Sequence, residues 1–187
     1  MYIEVYGDLI DLALSGEFDV IAHGNNCFCN QAKGIAVPMN NHFGTLNFKM
    51  ERLFDHYWDD ETQEWSTVPS KNRGDINKLG QIDYQVKYVD INTKKVFSGV
   101  SYPIPSNVVQ LTVVNAYTQY RYGHGLQLDY DALTLCLRKM NHEFKGKTIG
   151  LPTIGTGLAG GDWLKIKKII NKELVDCNVT VVIYEKD

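Results

Sequence analysis

No stretch of this 187-residue sequence is both long and apolar enough to cross a bilayer. No basic segment followed by an apolar run opens it either. Tyr2-Ile3-Glu4-Val5-Tyr6 alternates like a strand, so no secretory leader is expected and the chain reads as cytoplasmic. An excess of positive charge is also missing. Lys plus Arg number 19 against 22 Asp plus Glu, a formal net charge of -3, which disfavours a broad nucleic-acid footprint but leaves room for a local basic pocket. Cysteine is sparse and wrongly spaced for a metal or redox pair. Cys27 and Cys29 lie two apart, Cys136 and Cys177 stand alone, and no His doublet completes a ligand set. Free thiols, no metal and no cofactor are therefore expected. The lysine-bearing phosphate loop G-x-x-x-x-G-K-[ST] is absent, as are internal repeats and low-complexity tracts.

What is present is an alternation of strand and helix patterns. Residues 2–6 read as a strand, and Asp8 caps a short helix over 9–14 that stops at Gly16. Phe18 to Ala22 is a short buried strand ending in the polar loop His23-Gly24-Asn25-Asn26. A second helix follows Lys33-Gly34-Ile35-Ala36, with Pro38 in its first turn. Residues 47–58 read as a helix and 59–78 as a polar loop. Ile82-Tyr84-Val86-Tyr88 alternates strictly, and 96–100 pairs with it through the turn at Asn92-Thr93, an antiparallel insertion. Beyond it come a strand at 111–116, a helix capped by Asp129, a strand at 148–154, a helix opened by Asp162 and a strand at 179–184. That order predicts an α/β fold with a mixed, mostly parallel sheet covered on both faces.

Gly155-Thr156-Gly157-Leu158-Ala159-Gly160 satisfies G-x-G-x-x-G between a strand and a helix. Its glycines let backbone approach a phosphate, and the N–H groups at the helix start complement negative charge. A dinucleotide-binding domain, however, carries this fingerprint in its first βα unit and needs several more after it. Here only one strand follows, so a different phosphate-binding fold is expected. Gln31 to Ala36 forms a second loop entering a helix, and the two could grip a diphosphate from both sides.

Taken together, three motifs resemble those of a macro domain: Gly7-Asp8-Leu9; Ala22-His23-Gly24-Asn25-Asn26 leading to Lys33-Gly34-Ile35-Ala36; and Leu151 to Trp163 with its Gly160-Gly161-Asp162 end. The likeness covers residues 1–44 and about 110–187. Residues from about 47 to 105 match poorly and read as a variable insertion within one domain spanning 1–187. The resemblance implies a three-layer α/β/α fold with an ADP-ribose cleft at the strand C-termini. It places Asp8 on the adenine amino group with the Leu9 N–H facing the ring, and Asn26 beside the distal ribose. Gly34, Ile35 and Ala36 would donate to that ribose and the diphosphate, while Gly155, Thr156, Gly157, Leu158 and Ala159 close over the diphosphate.

The His in the strand motif and Gly-Gly-Asp-Trp after the second loop are similar to the branch that hydrolyses ADP-ribose-1''-phosphate to ADP-ribose and inorganic phosphate. There His23 and Asp162 would be the catalytic pair. His titrates near neutral pH and suits acid or nucleophilic work, although both residues also read structurally, His23 as a strand-end histidine and Asp162 as a helix N-cap. The branch that removes ADP-ribose from glutamate carries a Lys and an Asp where this chain has Gln119 and Ala159. Two alternatives stay open: an ADP-ribosyl hydrolase acting on protein or nucleic acid, and a non-enzymatic ADP-ribose reader. The expected partner is thus ADP-ribose or its 1''-phosphate, with nucleic acid entering only as an ADP-ribosylated substrate and no membrane. Related domains occur in tailed phages, for which the compartment would be the host cytoplasm.

Overall fold

Among the described residues, aspartates open three of the four α-helices. Asp8 accepts from the N–H groups of Ile10 and Asp11 to start α1 (Leu9–Leu14), Asp129 from Ala132 to start α3 (Tyr130–Glu143), and Asp162 from Leu164 to start α4 (Trp163–Glu173). Each carboxylate satisfies N–H groups that have no partner within the helix. The exception is α2 (Ala36–Phe43), which starts without a side-chain cap and ends at Gly44 in the left-handed conformation, φ 70°. In the computed structural model, residues 2–48 and 74–184 are described with their side chains, and 54–59 and 64–69 by their backbone.

The strands are β1 (Ile3–Tyr6), β2 (Val20–Asn26), β3 (Phe54–Asp59), β4 (Glu64–Pro69), β5 (Ile82–Asp90), β6 (Lys95–Phe97), β7 (Val108–Gln119), β8 (Thr148–Pro152) and β9 (Asn178–Ile183). Seven form one sheet in the order β1-β9-β8-β2-β7-β5-β6, and β3 and β4 pair separately. Strands β1, β9, β8, β2 and β7 run parallel, while β5 and β6 add an antiparallel edge. Side chains alternate across the central strands. Val20, Ala22, Val114 and Ala116 pack with Leu133, Leu137, Met140, Ile166 and Ile170 of α3 and α4. Ile21, Leu111 and Val113 pack with Leu9, Ile10, Met39 and Phe43 of α1 and α2. The result is the three-layer α/β/α sandwich with a mixed sheet that the pattern predicts. Among the described residues, no helix is long and apolar enough to cross a membrane.

Three local expectations are corrected. Residues 54–59 are not helical but the strand β3, paired in register with β4 from Phe54 opposite Pro69 to Asp59 opposite Glu64. Phe54, Tyr57 and Trp58 in β3, and Trp65, Thr67 and Val68 in its partner β4, favour the extended chain, and the apolar spacing suited a helix only by coincidence. The rest of that expected helix, 49–53, lies outside the described residues. The expected loop from 59 to 78 contains β4 and a single helical turn at Ile76–Lys78. Most consequential, His23 to Asn26 belong to β2 rather than to a loop.

Candidate functional site

Because five neighbouring strands run parallel, their C-termini and the loops leaving them meet along one edge of the sandwich, where open α/β sheets form their clefts. Leaving β1, Gly7 donates to the carbonyl of Ile183 at 3.0 Å, which brings Asp8 beside the end of β9. The Asp8 carboxylate is engaged by α1, with Oδ1 2.7 Å from the Ile10 nitrogen. The Leu9 N–H donates to no group among the described residues. Tyr184, the first residue past β9, is 64% exposed at this spot. It is an exposed aromatic one residue past the carbonyl that receives the Gly7 N–H, a candidate that sequence reasoning missed. Its only signal was an aromatic at the end of a parallel strand.

From β2 the chain runs through residues 27–35 into α2. Asn26 is buried, and its side chain staples this loop to itself: Nδ2 donates to the Asn30 carbonyl at 2.8 Å and Oδ1 accepts from the Asn30 N–H at 3.1 Å. Gly34 follows with φ 62°, a conformation favouring glycine. The N–H groups of Gly34, Ile35 and Ala36 donate to nothing among the described residues. They stand at the uncapped, electropositive start of α2.

The glycine loop leaves β8. Gly161 donates to the Gly155 carbonyl at 2.8 Å and Thr156 to that of Thr153 at 3.2 Å, closing the backbone into a tight turn. Inside it the N–H groups of Gly155, Gly157, Leu158 and Ala159 lack partners among the described residues. The glycines have different reasons to be there. At Gly160, φ is 66° and a Cβ would lie 2.9 Å from the Gly125 carbonyl oxygen, so the fold itself requires glycine. At Gly157 a Cβ would meet nothing within 4 Å. Outside the turn, the Ala159 carbonyl accepts from the N–H groups of Gln127 and Leu128, which ties the loop after β7 to the glycine loop.

The two expected catalytic residues are not brought together. His23 sits inside β2, fully buried on the α1–α2 face, with Nε2 2.7 Å from Asn115 Oδ1 and no partner for Nδ1 among the described residues. Burial pushes its pKa down to about 4 against hydrogen bonding to Asn115 and to the Gly24 backbone, so it is neutral at physiological pH. Asp162 is exposed at the start of α4, which packs on the other face. Its Oδ1 caps Leu164 at 2.8 Å and its N–H donates to the Tyr130 hydroxyl at 2.8 Å. Each residue thus occupies the structural position that sequence offers as its second meaning.

Behind the cleft lies a polar interior that sequence reasoning also missed. Asp83 of β5 faces Asn115 of β7, which faces His23 of β2, a row across three strands. The Tyr117 hydroxyl donates to Asp83 at 2.8 Å. Burial raises the Asp83 carboxyl to about 7, opposed by hydrogen bonds from Tyr117 and Asn115 and by the charge of Lys78. Among the described residues, no three His, Cys, Asp or Glu side chains gather as a metal site.

No protein-family profile matches the chain. A protein of Enterobacteria phage T4, the uncharacterized 17.5 kDa protein of the tk-vs intergenic region, is 28% identical over 185 residues, covering 97% of this chain and 95% of the phage protein. Among solved structures, the macrodomain of Thermus aquaticus DarG matches with a TM-score of 0.58 at 18% identity, covering 100% of this chain and 99% of that one. Thermosipho africanus DarTG in complex with ADP-ribose matches with a TM-score of 0.58 at 14% identity, covering 97% of this chain and 40% of that one. At such identities the likeness speaks for architecture: a mixed sheet between two helical layers, with its loops gathered at the strand C-termini, is the fold of a macrodomain.

Proposed function

We propose that this chain binds ADP-ribose across the C-terminal ends of β1, β9, β8 and β2. One observation carries the reading. Two sets of backbone N–H groups without partners among the described residues, at the start of α2 and inside the glycine loop, lie on loops leaving the same end of adjacent strands. Such paired donors suit a diphosphate, whose oxygens accept from both sides. Asp8 with the free Leu9 N–H and the exposed Tyr184 ring supplies a polar edge and a flat face for the base. The ADP-ribose in the Thermosipho neighbour supports the same ligand. Titration calorimetry with ADP-ribose tests it. Binding that Gly157→Val abolishes while the fold is retained is the expected outcome, since the new side chain would occupy the space left for the diphosphate. No heat with wild-type protein at millimolar ligand would overturn the reading.

A hydrolytic role is the finer part of this proposal, and release of phosphate from ADP-ribose-1''-phosphate is its specific form. Asp162 supports it, being exposed at the end of the glycine loop with one carboxylate oxygen spent on the helix cap. A phosphoryl group held by backbone donors would have its developing charge stabilised there. His23 has no surface in the cleft, so any part it plays passes through Asn115. A phosphate-release assay on wild type and Asp162→Asn decides the matter. Tight ADP-ribose binding without phosphate release by wild type leaves a reader or an ADP-ribosyl hydrolase.

A further inference from the structure

Both ends of α2 are tied to one buried side chain. Asn115 Nδ2 donates to the Thr45 carbonyl at 3.0 Å, just past the C-terminus of α2. Thr45 Oγ1 donates to Gln31 Oε1 at 2.6 Å, and Gln31 lies in the loop that enters α2. Gln31 Nε2 returns to Asn115 Oδ1 at 3.5 Å and closes the ring. All three are buried: Asn115 is 1% exposed, Thr45 2% and Gln31 6%. Asn115 Oδ1 also takes the bond from His23 Nε2 at 2.7 Å, the shortest contact that Asn115 makes in this group.

An amide can be turned end over end, and only one orientation serves this ring. Oδ1 must accept from Gln31 while Nδ2 donates to Thr45. A neutral His23 carrying its proton on Nε2 donates to Oδ1 and rejects the flipped amide, which would set one donor against another. A hydrophobic residue would fill the same space without burying a polar ring in the interior, so packing alone does not account for histidine here.

We propose that His23 is a positioning residue. It orients Asn115, and through the ring with Gln31 and Thr45 it sets α2 so that the N–H groups of Gly34, Ile35 and Ala36 face the cleft. The inference rests on the reading of that cleft as an ADP-ribose site. It predicts a separation of affinity from stability that a merely structural histidine would not show.

The test compares wild type, His23→Leu and His23→Gln by calorimetry with ADP-ribose and by thermal melting. His23→Leu is expected to bind about tenfold more weakly, the size of one well-placed hydrogen bond, while its melting midpoint stays level or rises. His23→Gln, whose amide N–H can donate to Asn115 Oδ1, should recover most of the affinity. Equal affinity of wild type and a folded His23→Leu would overturn the proposal, as would Leu and Gln variants that bind alike. Should His23→Leu fail to fold, Gln31→Met breaks the same ring one step nearer the loop and carries the same expectation. Amide hydrogen exchange separates the two claims. If wild type binds no ADP-ribose, the reading of the cleft fails. The positioning claim is then judged on the amides of Met39 in α2 and of Gly44 just past its end, which should exchange about tenfold faster in His23→Leu and would refute it by not changing.

Discussion

At the scale of single residues, the glycine loop separates what the fold demands from what a ligand demands. Gly160 has φ 66° and backbone 2.9 Å from where its Cβ would stand, whereas Gly157 has neither constraint. An alanine at 160 would carry both left-handed strain, about 1–2 kcal/mol for a residue with a Cβ, and a clash with the Gly125 carbonyl. An alanine at 157 meets no protein atom, and such open-surface changes stay within about 0.5 kcal/mol. Gly160→Ala should therefore lower the melting midpoint by several degrees, while Gly157→Ala leaves it unchanged and weakens ADP-ribose binding. Differential scanning calorimetry beside a binding titration checks both halves. A Gly157→Ala variant that binds like wild type would show that the open space at 157 is not where the diphosphate lies.

At the scale of elements, Asp162 holds two roles that one substitution can part. As the cap of α4 it accepts from Leu164 at 2.8 Å, and loss of such a cap costs about 1 kcal/mol, whereas asparagine caps nearly as well as aspartate. Asp162→Ala should lower stability in chemical denaturation by about that amount, and Asp162→Asn should not. If the carboxylate also serves the 1''-phosphate, only the charge matters there, so Asp162→Asn should be stable yet slow in releasing phosphate. Caps of this kind made α1, α3 and α4 legible in advance, because an aspartate before an apolar stripe has few other meanings. The parallel strands near the C-terminus were legible as short apolar runs between helices. The segment from 47 to 78 was not, since aromatic residues suit either period and cross-strand pairing leaves no local mark. Strand β2 was legible only to Ala22. His23, Asn25 and Asn26 are polar, and nothing local tells a polar strand end from a loop when its partners arrive from Gln31, Thr45 and Asn115. The same long-range origin hid the buried row behind the cleft. A lone histidine at an apparent strand end suggested chemistry, and the contacts that bury it come from residues up to 92 positions away.

At the scale of the whole molecule, the buried row couples two unusual titrations to folding. His23 is depressed from 6.5 to about 4 and Asp83 is raised from 3.8 to about 7, in both cases chiefly by burial of the neutral form. Between about pH 4 and 6.5 the unfolded chain holds a proton on His23 that the folded chain has given up, so this group alone makes stability rise with pH. Over the same interval the folded chain keeps a proton on Asp83 that the unfolded chain has lost, so this group alone makes stability fall. One proton is worth about 1.4 kcal/mol per pH unit, and the two slopes have opposite signs. Their contributions cancel through that window, and above about pH 6.5 only the Asp83 loss remains, ending near pH 7. Asp83→Asn keeps a hydrogen-bonding partner for the Tyr117 hydroxyl and removes one titration. Relative to wild type, its stability should therefore rise with pH between about 4 and 7, at a slope approaching the one-proton limit, and level off above. Denaturant melts of both proteins at half-unit pH steps measure this difference directly. Parallel curves across the window would mean that Asp83 is already ionised in the folded protein, and the neutral row from β5 through Asn115 to His23 would have to be redrawn as a charged one.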